Sequence, residues 1–129
     1  MKKSKLIAIV AATAALALTV SGCSSSGDSA SDKRYVVSVK LIGVGWFDNM
    51  EKGILEWAGE NEIDASMTGA TDASPEKQSK MVEDLIAQKV TGIGIVPNDV
   101  ASIDGVIQKA KDAGIFVVTH EAGGTKNAD

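Results

Sequence analysis

From residue 34 onward the chain alternates short apolar runs with amphipathic stretches. Residues 35–41 (YVVSVKL) are rich in β-branched side chains and read as a strand. Phe47, Met50, Ile54, Trp57 and Ala58 recur at helical spacing, which predicts a helix over about residues 47–60. Residues 63–68 (IDASMT) form a weaker strand pattern. Ser74 and Pro75 then mark a helix start. Serine can accept from an unpaired backbone N–H, and proline lacks the N–H that would be unpaired at the first helical position. Val82, Leu85, Ile86 and Val90 give that second helix its buried stripe. Residues 92–96 (GIGIV), closed by Pro97, are a third strand. Ile103, Val106, Ile107 and Ala110 fall at i, i+3, i+4 and i+7 of a third helix, with Gly114 placed as its left-handed end. Residues 115–119 (IFVVT) are a fourth strand, and residues 121–129 read as a polar loop.

The order is β-α-β-α-β-α-β, and no internal repeat is visible. The first, third and fourth strands are apolar on both faces. That pattern belongs to a parallel sheet covered by helices on both sides. Right-handed crossovers then give an α/β, doubly wound sheet of order 2-1-3-4.

The first 33 residues follow a different pattern. Residues 1–5 (MKKSK) are basic, and residues 6–20 (LIAIVAATAALALTV) are uninterruptedly small or apolar. At ~15 residues this run suits a signal-peptide core and is short for a ~20-residue membrane span. Val20, Ser21, Gly22 and Cys23 follow, and an aliphatic residue, two small ones and a cysteine resemble the bacterial lipobox. The resemblance implies cleavage after residue 22 and lipidation of Cys23. Two or more acyl chains would hold the protein stably at the membrane. Residues 24–32 (SSSGDSASD) carry no large apolar side chain, and residues 23–33 are expected to be a flexible tether. The folded unit is then residues 34–129, outside the cytoplasm and held close to a membrane. No cofactor is expected, because ATP and NAD are cytoplasmic.

Charge narrows the range of partners. Three of the thirteen Lys and Arg lie in residues 1–22 and none of the seventeen Asp and Glu do, so residues 23–129 carry −7. An acidic domain without basic clusters is a poor nucleic-acid binder. Cys23 is the only cysteine, which excludes a disulfide within the chain.

In open parallel sheets ligands bind beyond the carboxyl ends of the strands. Four loops qualify, at residues 40–49, 69–74, 97–101 and 120–124. The first holds Trp46 and Phe47, two of the five aromatic residues. Sugar rings pack their C–H faces on aromatic rings while their hydroxyls seek planar polar partners. Lys40, Asn98, Asp99 and Glu121 would supply those partners. The alternative is that Phe47 is simply a core residue of the first helix and Lys40 a solvated strand end. Gly43 and Gly45 hint at a dinucleotide turn, but Asp48 stands where the third glycine would be and would repel a pyrophosphate. His120 is the only histidine. With no Ser or Cys in a nucleophile elbow, a hydrolase built on His120 and Glu121 is a distant alternative. A loop-ordering role is the plainer one for His120. No metal-ligand spacing is present.

The segments KLIGVGWFDNMEKG, PNDVASIDGVIQKAKDAGI and VVTHE together resemble the N-terminal lobe of a type I periplasmic substrate-binding protein of an ABC transporter. The nearest branch is the rhamnose- and autoinducer-2-binding part of the ribose-binding-like family. The resemblance implies a sugar or sugar-like ligand, with Lys40 contacting it and Trp46 and Phe47 stacking on it. Asn98 and Asp99 match the polar turn after the third strand. His120 and Glu121 stand where the autoinducer-2 branch commonly has Trp and Asp. Glutamate is one methylene longer and histidine more polar, so autoinducer-2 itself is not implied. The family closes two lobes on its ligand by hinge motion and docks on a membrane permease, with no covalent chemistry. Presentation of the ligand to a membrane sensor is the alternative. Two lobes need ~200–300 residues, so the chain is expected to supply one lobe of a longer protein. Its fourth strand would then leave an unpaired edge.

Overall fold

A computed structural model describes residues 33–128. The expected leader, Cys23 and nearly all of the expected tether lie outside the described residues. Seven elements follow in order: β1 (Arg34–Val39), α1 (Gly45–Asn61), β2 (Asp64–Gly69), α2 (Pro75–Ala87), β3 (Gly92–Ile95), α3 (Val100–Asp112) and β4 (Phe116–Thr119). The four strands form one parallel sheet of order β2-β1-β3-β4, as the apolar pattern implied. Residues 120–128 form neither helix nor strand.

Local chemistry explains the boundaries. Ser74 caps α2 by accepting from the Lys77 N–H at 3.2 Å, and Pro75 takes the first helical position. Asp99 caps α3 in the same way through Ser102. Gly114 adopts φ +77° after α3, where the Gly114 N–H donates to the Lys111 carbonyl and the Ile115 N–H to the Ala110 carbonyl. Those two bonds are the paired closure that a left-handed residue permits at a helix end. They also hold Ile115 to α3, so β4 begins one residue later than the pattern suggested. β1 stops at Val39 rather than running to residue 41, because the chain turns away through Gly43 at φ +76°. α1 starts two residues earlier than its apolar stripe.

The helices divide between the two faces. Val36, Ile93, Ile95 and Val117 turn toward α2 and α3 and join Val82, Leu85, Ile103, Val106 and Ile107 in the main core. Val39, Phe47 and Val96 form a smaller core on the α1 side, with Val37, Met50 and Met67 against it. Helices lie on both faces of the sheet, as expected, but the cover on the second face is partial. α1 packs along β2 and does not cover the far side of the sheet. Phe116 and Val118 of β4 are therefore exposed, beside an apolar recess of about 530 Å3 that reaches Tyr35, Trp57, Gly92 and Gly94.

Candidate functional site

All four strands point their carboxyl ends at one rim, because a parallel sheet has no alternative. The order β2-β1-β3-β4 puts the switch in winding direction between β1 and β3, which opens a crevice there. Lys40 leaves β1 at that crevice, Asn98 follows β3, and Glu121 follows β4.

These side chains meet. The Lys40 Nζ donates to Glu121 Oε2 at 3.0 Å, joining loops 81 residues apart in sequence. Both side chains keep solvent contact, so the pair remains available to a third group. The lysine hydrogen bond, and then its charge, hold the Glu121 carboxyl below the usual glutamate range. Glu121 itself sits at φ +55°, a left-handed backbone that costs a side-chain-bearing residue free energy. The His120 N–H donates to the Ile95 carbonyl at 2.9 Å and so anchors this turn to β3. Asn98 Nδ2 donates to the Lys40 carbonyl at 2.8 Å, fastening the rim residue of β3 to that of β1.

Around these groups lies a cleft of about 390 Å3 lined by Lys40, Leu41, Val44, Trp46, Phe47, Ala73, Asn98 and Glu121. The aromatic pair divides its work. Phe47 is 5% exposed and closes the cleft floor from the core, whereas Trp46 is 61% exposed at its mouth. Adjacent helical positions lie about 100° apart, so one of the two had to turn outward. The cleft also borders the start of α1, whose cap position, Val44, supplies no side-chain hydrogen bond.

Five of the seven residues singled out from sequence thus line one cleft: Lys40, Trp46, Phe47, Asn98 and Glu121. Two do not. The Asp99 carboxylate faces α3, where Oδ1 accepts from the Ser102 N–H at 2.7 Å and from the Ser102 hydroxyl at 2.6 Å. Those bonds hold its pKa down. His120 is exposed next to Glu121, outside the cleft lining. Among the described residues, no group of three or more His, Cys, Asp and Glu could hold a metal ion.

Sequence reasoning missed Gln78. It is 2% exposed on α2, and its amide touches the backbone under the rim. Its spacing was the available signal. Gln78 lies four and seven residues before Val82 and Leu85, a polar residue on the buried stripe of its helix.

Comparison with known proteins gives this geometry its family. The model of a periplasmic binding protein domain matches residues 35–129. The chain belongs to the periplasmic binding protein family. Solved structures agree. The chain is 30% identical, at a TM-score of 0.67, to an ABC transporter solute-binding protein from Burkholderia graminis in complex with D-arabinose. That match covers 70% of this chain and 31% of the other. A periplasmic solute-binding protein from Actinobacillus succinogenes with bound D-allose is 31% identical at a TM-score of 0.65, covering 67% and 31%. An arabinose-binding protein from Geobacillus stearothermophilus is 28% identical at 0.67, covering 73% and 33%. The chain therefore spans about a third of the length of these solved relatives. A search of curated proteins found no match.

Proposed function

We propose that this periplasmic-binding-protein lobe belongs to an extracytoplasmic solute-binding lipoprotein that captures a sugar or sugar-like ligand and delivers it to an ABC importer. The observation that carries the reading is the rim itself: a lysine, a carboxylate and an amide side chain converge beside an exposed tryptophan. A polyol needs such a set. Lys40 donates to ring or hydroxyl oxygens, Glu121 accepts from hydroxyls, and the Asn98 amide can do either. The face of Trp46 offers a surface for ring C–H groups, and Phe47 keeps the floor dry. D-arabinose and D-allose in the relatives above support this ligand class. Binding of this kind needs no bond to be made or broken.

The lobe would be one jaw of a two-lobed clamp, with residues outside 34–129 supplying the other. Asp99 would act by fixing the start of α3 beneath the rim, and His120 by holding the Glu121 turn. Lipidation of Cys23 would keep the clamp near the membrane permease to which it delivers. Mass spectrometry of the exported protein is expected to show a diacylglyceryl adduct on Cys23, and an unmodified thiol there would overturn the anchor. Calorimetric titration of the complete gene product with D-arabinose, D-allose, D-tagatose and autoinducer-2 tests the ligand class. Binding of at least one, weakened tenfold or more by Lys40→Met or Glu121→Gln, is the expected result. No heat or thermal shift with any polyol would defeat the reading.

A further inference from the structure

The rim residues are held from below by one buried side chain. Gln78 rises from the first turn of α2 into the space between β1 and β3. Its Nε2 donates to the Val96 carbonyl at 2.9 Å and, at 3.4 Å, to the Ser38 carbonyl. Its Oε1 accepts the Asn98 backbone N–H at 2.7 Å. The amide orientation follows from these partners, because the opposite one would set an oxygen against two carbonyl oxygens. Asn98 then passes the constraint on, its Nδ2 donating to the Lys40 carbonyl. The same Ser38 carbonyl accepts the Val96 N–H at 2.9 Å, so the last backbone link between β1 and β3 lies at the Gln78 amide.

We propose that Gln78 is the positioning residue of the rim: one buried amide ties the carboxyl ends of β1 and β3 together and, through Asn98, sets where Lys40 stands. That this placement serves sugar capture rests on the function proposed above. The chemistry demands a primary amide. A buried site with two carbonyl oxygens on one side and an N–H on the other needs a donor and an acceptor on one planar group. Glutamate would place a charge against the carbonyls. Methionine fills the same volume but leaves the Val96 carbonyl and the Asn98 N–H unpaired, and each such group carries a desolvation cost. Asparagine keeps the chemistry and loses one methylene of reach. The constraint stops at the rim, because beyond Lys40 the chain turns away through Gly43.

The test reads positions rather than ligand, so its failure is separate from failure of the sugar titration. It uses NMR on the full chain with Gln78→Met, Gln78→Glu and Asn98→Ala. Lys40→Met provides the reference for a lost ion pair. Two readouts report the relay: hydrogen exchange of the Asn98 amide, and the titration of the Glu121 carboxyl, which Lys40 holds low. In Gln78→Met the Asn98 amide is expected to exchange at least tenfold faster, and the Glu121 carboxyl to titrate higher, toward its position in Lys40→Met. A change in packing alone would not move that carboxyl. Gln78→Glu keeps an acceptor for the Asn98 N–H but, when ionised, sets an oxygen against the Val96 carbonyl. It is expected to lower Tm, with the loss recovered as the pH falls and a protonated carboxyl donates as the amide does. Asn98→Ala leaves the buried Gln78 bonds in place and cuts only the link to Lys40. It is expected to raise the Glu121 titration while the backbone amide at position 98 stays protected. That variant keeps the relay testable even if Gln78→Met does not fold. A folded Gln78→Met with wild-type exchange at Asn98, or Asn98→Ala with a wild-type Glu121 titration, would overturn the relay.

Discussion

Val117 and Val118 are neighbours in β4 with the same side chain, and they live in opposite surroundings. Val117 is fully buried against α2 and α3, while Val118 is 44% exposed on the side that α1 leaves open. The same contrast runs across the whole sheet. One face is closed by two helices that also pack on each other. The other is covered by α1 along β2, and a recess opens from Tyr35 and Val37 of β1 across β3 to β4, where Gly92 and Gly94 add no side chain to fill it. Hydrophobic character alone therefore does not measure burial. It marks a surface that can be covered, and the covering element decides whether it is.

The contrast can be broken most forcefully on the closed face. Ile107→Ala removes a fully buried side chain among Val36, Val82 and Ile103. The expected loss is ~2–5 kcal/mol, read from denaturant midpoints at constant slope. In a domain of this size that lowers Tm by ~10 °C or more. A loss of only a few tenths would show that this face is loosely packed. Gly92→Ala probes the recess from its floor. A Cβ there would come within 2.9 Å of the Tyr35 ring. Overpacking of this kind costs ~1–3 kcal/mol. Adding Tyr35→Ala should cancel the part due to the clash, and a double-variant cycle would measure it. Phe116→Ser acts on the bare side, where the ring is 58% exposed. Its effect on stability is expected to stay within ~0.5 kcal/mol, the range of ordinary surface changes. Binding of an apolar dye to the recess should fall in the same variant.

The smallest effect on stability is expected at the rim. In Lys40→Met the Glu121 carboxyl loses the partner that holds it low, and its titration moves up. The sign follows from linkage. A carboxyl with a depressed folded-state pKa adds stability above its unfolded pKa and loses that contribution as the pH falls through the folded one. Lys40→Met should therefore flatten the acid limb of the stability curve, leaving the neutral-pH Tm nearly unchanged because the pair is exposed. An acid limb superposable on that of the wild type would show that the pair does not form in solution.

Much of this was legible in the residues. Ser74-Pro75 and Gly114 fixed the α2 start and the α3 end through chemistry local to a few positions. Strand order followed from apolar runs joined by helices. The rim followed from topology, since parallel strands send every carboxyl end the same way. What was not legible depends on pairings distant in sequence. Asp99 is the exception: its partner Ser102 lies only three residues on, and an aspartate just before the apolar stripe of α3 is a local capping signal that the ligand reading passed over. The partners of Gln78 lie up to 40 residues away, so its spacing could mark it as buried but not say what it binds. The bare side of β4 was invisible because alternation in IFVVT is apolar on both faces, with or without a helix above.

The order of the strands also sets a timetable. β1, α1 and β2 are consecutive and can assemble as one local unit, but β1 meets β3 only when residues 57 apart come together, as the Arg34 N–H does with the Thr91 hydroxyl. Closing that loop costs chain entropy before any contact returns it, so the β1–β3 seam is the natural bottleneck of folding. β3, α3 and β4 are likewise consecutive, and pairs such as Gly92 with Phe116 are as local as those that join β1 to β2. Substitutions along the seam should then slow folding. The crevice that holds the rim opens at that same seam, so the last backbone bonds to close the sheet's centre are also the ones that first bring Lys40 and Asn98 within reach of each other.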